Sequence, residues 1–351
     1  MVTENELPIS VIGGERWLSI AASAPFPDLS LVQTLEMRSQ LFSTGRDALY
    51  AIVAQISPST VYLPDFVCES LPLAVSTAGA DVKFFPLNED LATGDLTGAG
   101  WKPGDLAVIP HYFGVNNHEA LVRLRERGIL TVSDVTHCLL NPDVMNNLVT
   151  GSDYIFGSFR KQIPSPDGAF VGTQNQRLPQ TTDRLRLDFV SYRTAGLLTR
   201  GLPLEGGISD EASLPFFELA EAALEAEAPG RFGISELGIR ALNNFDYRAE
   251  RIVMAANTKA VLSNLPVGVA SPTPFSSCSP FVLLMFVSTA VVASIREALA
   301  RDKIFLPQHW PGVNLRSSGH FSNRSLSVPV DSRYSADQVA SIFDHHAWSL
   351  A

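Results

Sequence analysis

Between residues 46 and 156, short apolar runs alternate with helix-length amphipathic stretches, and no other feature restricts the fold as much. The runs fall at 60–63, 81–85, 106–110, 129–133 and 154–156, each too short for a buried helix. Helical patterns occupy 46–56, 69–77 and 117–127. Strands separated by helices pair in parallel, because a parallel neighbour needs a crossover longer than a tight turn. The chain is therefore predicted to be α/β, with a mostly parallel central sheet flanked by helices. Residues 168–172 follow Pro164-Ser165-Pro166-Asp167-Gly168 and read as the return strand of a hairpin.

The texture changes after residue 180. Helical patterns cover 182–198 and 211–227, and a long one runs from about 234 to 265. Beyond the Pro- and Ser-rich stretch 266–280 come a strand at 281–287, a helix at 289–301, strands at 304–306 and 325–328, and a helix at 335–346. This predicts a large unit over 30–250 and a smaller α+β unit over 251–351, with segment 1–29 packing on one or the other.

With 351 residues, 46% of them hydrophobic, the chain can bury a large core. A formal charge of −10 argues against nucleic acid or an anionic membrane as the main partner. Cys68, Cys138 and Cys278 show no repeated spacing and no CxxC, so neither a disulfide framework nor a metal site is expected. The first twenty residues lack a basic stretch followed by an apolar one, and the apolar run 281–287 is too short to span a bilayer. A soluble, cytoplasmic protein is expected.

The chemistry-bearing residues sit at strand ends. Five lysines stand among 26 basic residues, and one of them closes Gly157-Ser158-Phe159-Arg160-Lys161, just past the run at 154–156. The preceding run ends in Ser133-Asp134-Val135-Thr136-His137. An acid at one strand end and a lysine past the next is what pyridoxal 5'-phosphate (PLP) requires. The amine condenses with the cofactor aldehyde, and the acid keeps the pyridine nitrogen protonated. Simpler readings stand beside these: a surface lysine, an aspartate in a turn and a structural histidine. Ser158-x-x-Lys161 also has the form of a serine acyl-transfer pair, although the further motifs of such enzymes are missing. Upstream, Ser43-Thr44-Gly45-Arg46 opens a helix. That turn suits a phosphate through its unpaired amides, or is an ordinary Ser/Thr N-cap.

The order of these elements resembles the DegT/DnrJ-type sugar aminotransferases, a family of fold type I PLP enzymes. The likeness extends to YLPDFVCE (62–69), IPHYFG (109–114), RGILTVSD (127–134), GAFVGT (168–173), KIFLPQHW (303–310) and LSVPVD (326–331), from about residue 40 to residue 347. It implies PLP as cofactor and a homodimer with shared active sites. It also implies an amino donor, usually glutamate, and a keto-sugar nucleotide as carbonyl acceptor. Lys161 would bind the cofactor and shuttle the proton, and Asp134 would hold the ring nitrogen. Ser158 and the Thr44-Gly45-Arg46 turn would hold the phosphate, and His137 the ring face or its oxygen. The family's stacking aromatic falls on Cys68 here, or on Phe66 two residues earlier. A lysine at 161, rather than a histidine, speaks against the family's dehydratase branch. Three other readings remain at this stage: PLP chemistry other than transamination, a non-catalytic scaffold, and the acyl-transfer pair.

Overall fold

A computed structural model describes residues 12–13, 15–16, 37–94, 96, 100–201, 210–310 and 319–350. Its strands are β1 (Ile12–Gly13), β2 (Arg38–Phe42), β3 (Thr60–Pro64), β4 (Asp81–Phe85), β5 (Leu106–Pro110), β6 (Leu130–Asp134), β7 (Tyr154–Ser158), β8 (Ala169–Thr173), β9 (Val269–Ala270), β10 (Phe281–Phe286), β11 (Ile304–Phe305) and β12 (Ser325–Pro329). Its helices are α1 (Gly45–Ile56), α2 (Ser70–Thr77), α3 (His118–Glu126), α4 (Pro142–Gly151), α5 (Leu187–Gly201), α6 (Asp210–Ala226), α7 (Glu236–Asn243), α8 (Tyr247–Ser263), α9 (Thr289–Arg301), α10 (Gly319–Asn323) and α11 (Ala336–Ser341).

Seven strands form the central sheet in the order β2-β8-β7-β6-β5-β3-β4. Strands β3 to β7 pair in parallel, and β8 runs against both of its neighbours. Alternation along single strands explains why helices cover both faces. In β5, Leu106 and Val108 face Leu49, Ile52 and Val53 of α1, whereas Ala107 and Ile109 face Leu121 and Leu124 of α3 and Met145 and Leu148 of α4. Pro110 lies opposite Asp134 and Asp134 opposite Phe156, so the carboxyl ends of β5, β6 and β7 share one edge. Ligands of open α/β sheets bind beyond that edge.

The C-terminal part has a core of its own. Strands β12, β10 and β9 form an antiparallel sheet. Val282, Leu284, Leu326 and Val328 on it pack against Val261 of α8, Ile295 and Leu299 of α9 and Val339 of α11. Strand β1 pairs in parallel with β11, Ile12 opposite Ile304, which ties the described N-terminal residues to this part. The remainder of the 1–29 expectation lies outside the described residues. Among the described residues, no helix is long and apolar enough to cross a membrane.

Several elements depart from the sequence expectations. The helix expected over 234–265 is two helices, because the Asp246 side chain accepts from Arg248 N and Ala249 N and starts α8 afresh. The helix expected from 182 begins at Leu187. Residues 182–184 pair their backbone with 231–233 instead, through Thr182 N to Arg231 O at 2.8 Å and Gly233 N to Arg184 O at 3.0 Å. At the end of the chain α11 stops at Ser341 and gives way to 3₁₀ turns, where Trp348 Nε1 donates to Ile342 O at 2.6 Å. Strand β2 and helix α4 have no counterpart in the sequence reading.

Candidate active site

A cavity of about 600 Å³ opens beyond the carboxyl edge of the sheet. The sheet and its loops line one side; Gly13, Arg16, His309, Trp310 and Arg333 line the other. Of the residues singled out in the sequence, Thr44, Gly45, Arg46 and Cys68 line it, as do Asp134, His137, Ser158 and Lys161. Phe66 does not. Its ring is buried behind the wall, 4.5 Å from Trp310 and 5.6 Å from Phe321.

Lys161 ends a 3₁₀ turn, Phe159–Lys161, that follows β7 directly. Its side chain is exposed within the cavity and forms no hydrogen bond or ion pair with a described residue. The charge of neighbouring Arg160, and then burial, lower its amine below the ordinary lysine range. Arg160 itself is spoken for: it pairs with Glu221 of α6 at 2.6 Å and lies over the Phe189 ring. Close packing leaves the strand before the turn little freedom. A Cβ on Gly157 would stand 3.0 Å from Val135 and 3.2 Å from Phe170.

Asp134 is 5% exposed at the end of β6, where its Oδ1 accepts from Thr136 N at 3.0 Å. Burial raises its carboxyl, and no described cation pairs with it. A buried carboxylate without a countercharge is costly; a protonated pyridine nitrogen would supply the missing donor and charge. The acid and lysine loops are cross-braced. Gln162 Nε2 donates to Thr136 O at 2.6 Å, and Ser158 N to Thr136 Oγ1 at 3.3 Å. Arg16 in turn donates to Gln162 O and pairs with Glu250 and Asp331, so a residue near the N-terminus braces the lysine turn.

Helix α1 begins beside Ser158, whose Cβ lies 3.5 Å from where a Gly45 Cβ would stand. Thr44 is both the N-cap, accepting from Asp47 N, and a donor to Asp47 Oδ2 at 2.6 Å. The first amides of the helix have no carbonyl partner within it and, with the helix dipole, suit an anion. Cap and cradle are thus compatible at one turn. The Arg46 side chain does not add its charge there: it donates to the carbonyls of Leu224 and of Glu227 (2.6 Å) at the end of α6. Burial, then the nearby Arg186, lower its guanidinium to about 10.

Cys68 lines the cavity with its Sγ 3.0 Å from Ser70 Oγ, and offers no ring for stacking. The rings at the wall belong to Tyr112, His137, Phe156, Phe281, His309 and Trp310. Tyr112 was within reach of the sequence, since it lies two residues past a parallel strand. Arg16 and Glu221 arrive from distant segments with no local pattern to mark them, and His309 and Trp310 close the family-like stretch KIFLPQHW (303–310), which assigned neither a role.

No protein-family model matches the sequence, and no curated protein matches it at a significant level. Solved structures do match in three dimensions. DesI, solved in the presence of its TDP-sugar product, aligns with a TM-score of 0.62 at 17% identity, over 95% of this chain and 86% of its own. Helicobacter pylori PseC, an aminotransferase involved in the biosynthesis of pseudoaminic acid, aligns at 0.59 and 12%, over 91% and 88%. Serine palmitoyltransferase from Sphingomonas wittichii aligns at 0.58 and 15%, over 89% and 72%. The chain has the α/β fold of the fold type I PLP-dependent enzymes.

Proposed function

We propose that the protein is a PLP-dependent aminotransferase of the DegT/DnrJ type, which moves an amino group from an amino acid, glutamate, to the carbonyl of a keto-sugar nucleotide. The observation that carries this is a lysine just past one strand and a buried aspartate at the end of its parallel neighbour, neither paired with an opposite charge among the described residues, sharing one cavity with a helix N-terminus. When bound, PLP supplies an electron sink for negative charge at the donor α-carbon. Asp134 holds the proton on the ring nitrogen. The amides that open α1 and the Ser158 hydroxyl hold the phosphate. Lys161 Nζ, neutral at a lower pH than an ordinary lysine, takes and returns the proton at the donor α-carbon. The acceptor class is supported by the likeness to DesI, solved with its TDP-sugar product, and to PseC, an aminotransferase involved in the biosynthesis of pseudoaminic acid. A second reading, the same cofactor with different chemistry, is supported by the likeness to serine palmitoyltransferase.

A homodimer is part of the proposal, supported by apolar side chains exposed on and beside α5 and α6: Leu185, Leu187, Leu214 and Leu219. Light scattering would decide it. The visible spectrum tests the activity. The protein should take up PLP with a yellow colour that glutamate bleaches and a keto acid restores. Lys161→Ala should fold normally and lose both responses; full turnover in that variant would remove the central assignment.

A further inference from the structure

Lys161 and Asp134 come from different loops, yet a PLP ring would need both at once, one at its aldehyde and the other at its nitrogen. The ring is rigid, so the spacing of the two side chains must hold to within about 0.5 Å. The pairing of β6 with β7 ends at Asp134 and Phe156, short of the lysine. The lysine itself sits on a 3₁₀ turn, whose own hydrogen bonds are poorer than those of a helix. Gln162 spans the gap. It is fully buried and does not line the cavity. Its backbone N–H closes the lysine turn on Phe159 O at 2.9 Å, and its side-chain Nε2 donates to Thr136 O at 2.6 Å. Thr136 in turn donates its N–H to Asp134 Oδ1 at 3.0 Å and accepts from Ser158 N at 3.3 Å. One residue therefore separates the Gln162 amide from the acid, and one peptide bond separates Gln162 from the lysine.

The far side of Gln162 is fixed as well. Its carbonyl accepts from Arg16, which pairs with Glu250 of α8 and with Asp331 just past β12. An unbroken run of polar contacts thus leads from Asp331 through Arg16, Gln162 and Thr136 to Asp134. The amide is kept at this position against a penalty: its Oε1 is buried without a hydrogen-bond partner. A methionine of the same length would fill the space and avoid that penalty. What methionine lacks is the N–H to Thr136.

We propose that Gln162 is a positioning residue that sets the spacing of Lys161 and Asp134, and with it the fit and the reactivity of the cofactor between them. The inference rests on the PLP reading and adds to it a side chain that touches neither cofactor nor substrate. Small displacements of reacting groups lower rates steeply, so a brace of this kind acts on chemistry as well as on binding. A merely structural amide would act on stability alone.

The test compares Gln162→Met with Asn257→Leu in the full-length protein. Asn257 is a buried amide away from the cavity, whose Nδ2 donates to Val330 O at 3.1 Å and Tyr334 O at 2.8 Å and whose Oδ1 also lacks a partner. Both variants should lower the melting temperature of the cofactor-free protein. Only Gln162→Met should alter the site. PLP, titrated by absorbance without substrate, should bind it about tenfold more weakly, and the loaded variant should bleach with glutamate about a hundredfold more slowly. Asn257→Leu should stay within about twofold of wild type in both respects. Gln162→Asn keeps the amide but withdraws it by one methylene; it should fall between wild type and Gln162→Met, and it decides the matter if the methionine variant does not fold. A Gln162 variant that matches Asn257→Leu in either PLP affinity or bleaching rate would overturn the proposal. A wild type that takes up no PLP would remove the cofactor reading and this inference with it, whereas a yellow wild type beside an equally yellow and reactive Gln162→Met removes the inference alone. If PLP binds but glutamate bleaches nothing in the wild type, the aminotransferase reading fails and PLP affinity alone decides the role of Gln162.

Discussion

Replacing Asp47 with alanine should be among the most damaging single changes outside the cavity, and the structure sets its size. The Asp47 and Arg186 side chains are 0% and 1% exposed. The carboxylate accepts from Arg186 Nη2 at 2.6 Å and Nε at 2.9 Å, from Gly230 N at 3.0 Å and from Thr44 Oγ1 at 2.6 Å. Alanine would leave a guanidinium buried against Phe232, with Ala228 O at 2.9 Å, Glu227 O at 3.2 Å and Glu227 Oε2 at 3.3 Å still accepting. Breaking a buried pair from one side costs about 3–5 kcal/mol, and the surviving acceptors place this case near the lower end. A loss of about 3 kcal/mol is more than a hundredfold in the folding equilibrium. The exposed pair of Glu119 and Arg123 makes the internal control, since removing it should cost at most about 0.5 kcal/mol. Urea unfolding followed by far-UV circular dichroism measures both. The cross-check is Asp47→Leu with Arg186→Met, which removes both charges and should be milder than the sum of the single changes. A loss below about 1 kcal/mol for Asp47→Ala, or strict additivity in the double variant, would refute the electrostatic reasoning. Because Thr44 and Asp47 shape the first turn of α1, cofactor affinity should fall with stability.

Two further outcomes can be checked. Arg160→Met removes the main cause of the lowered Lys161 amine and also frees Glu221 to favour its charged form, so the pH at which PLP is captured should move upward. The pH profile of yellow-colour formation reads this; an unmoved or lower midpoint would contradict it. Gly114→Ala should cost roughly 2–4 kcal/mol, from left-handed strain plus overpacking. Gly114 has φ of 83°, and a Cβ would stand 2.2 Å from Ser277 Oγ, which is held in place by its bond to Phe113 O at 3.0 Å. Thermal melts would show it, and a variant as stable as wild type would mean the loop shifts freely.

The inner parallel strands β3, β5, β6 and β7 were legible because they are buried on both faces and carry short apolar runs. Strand β2 was not: its sequence RSQLF is polar toward an exposed edge, and its pairing with β8 comes from the fold. Helix α4 was hidden for a different reason. PDVMNNLVTG contains two asparagines and a glycine, poor helix formers, and Val144, Met145 and Leu148 hold it by packing. Within the site, Asp134, Ser158, Lys161 and the Thr44-Gly45 turn stood out because strand and helix ends are positions of defined geometry. Side-chain direction was a different matter. Nothing local says that Arg46 turns to α6, that Phe66 lies behind Trp310, or that His309 meets His137, since each depends on contacts between distant segments.

The pairing of β1 with β11 has a consequence for how the protein is made. Ile12 and Gly13 leave the ribosome long before their partners Ile304 and Phe305. Arg16 likewise waits for Asp331 before the brace on the Gln162 carbonyl is complete. The large sheet can assemble during synthesis, but the lysine turn gains its full brace from Arg16 only once Asp331 has emerged. A nascent or C-terminally truncated chain would therefore carry every strand of the central sheet, and Lys161 as well, yet lack the final support behind it.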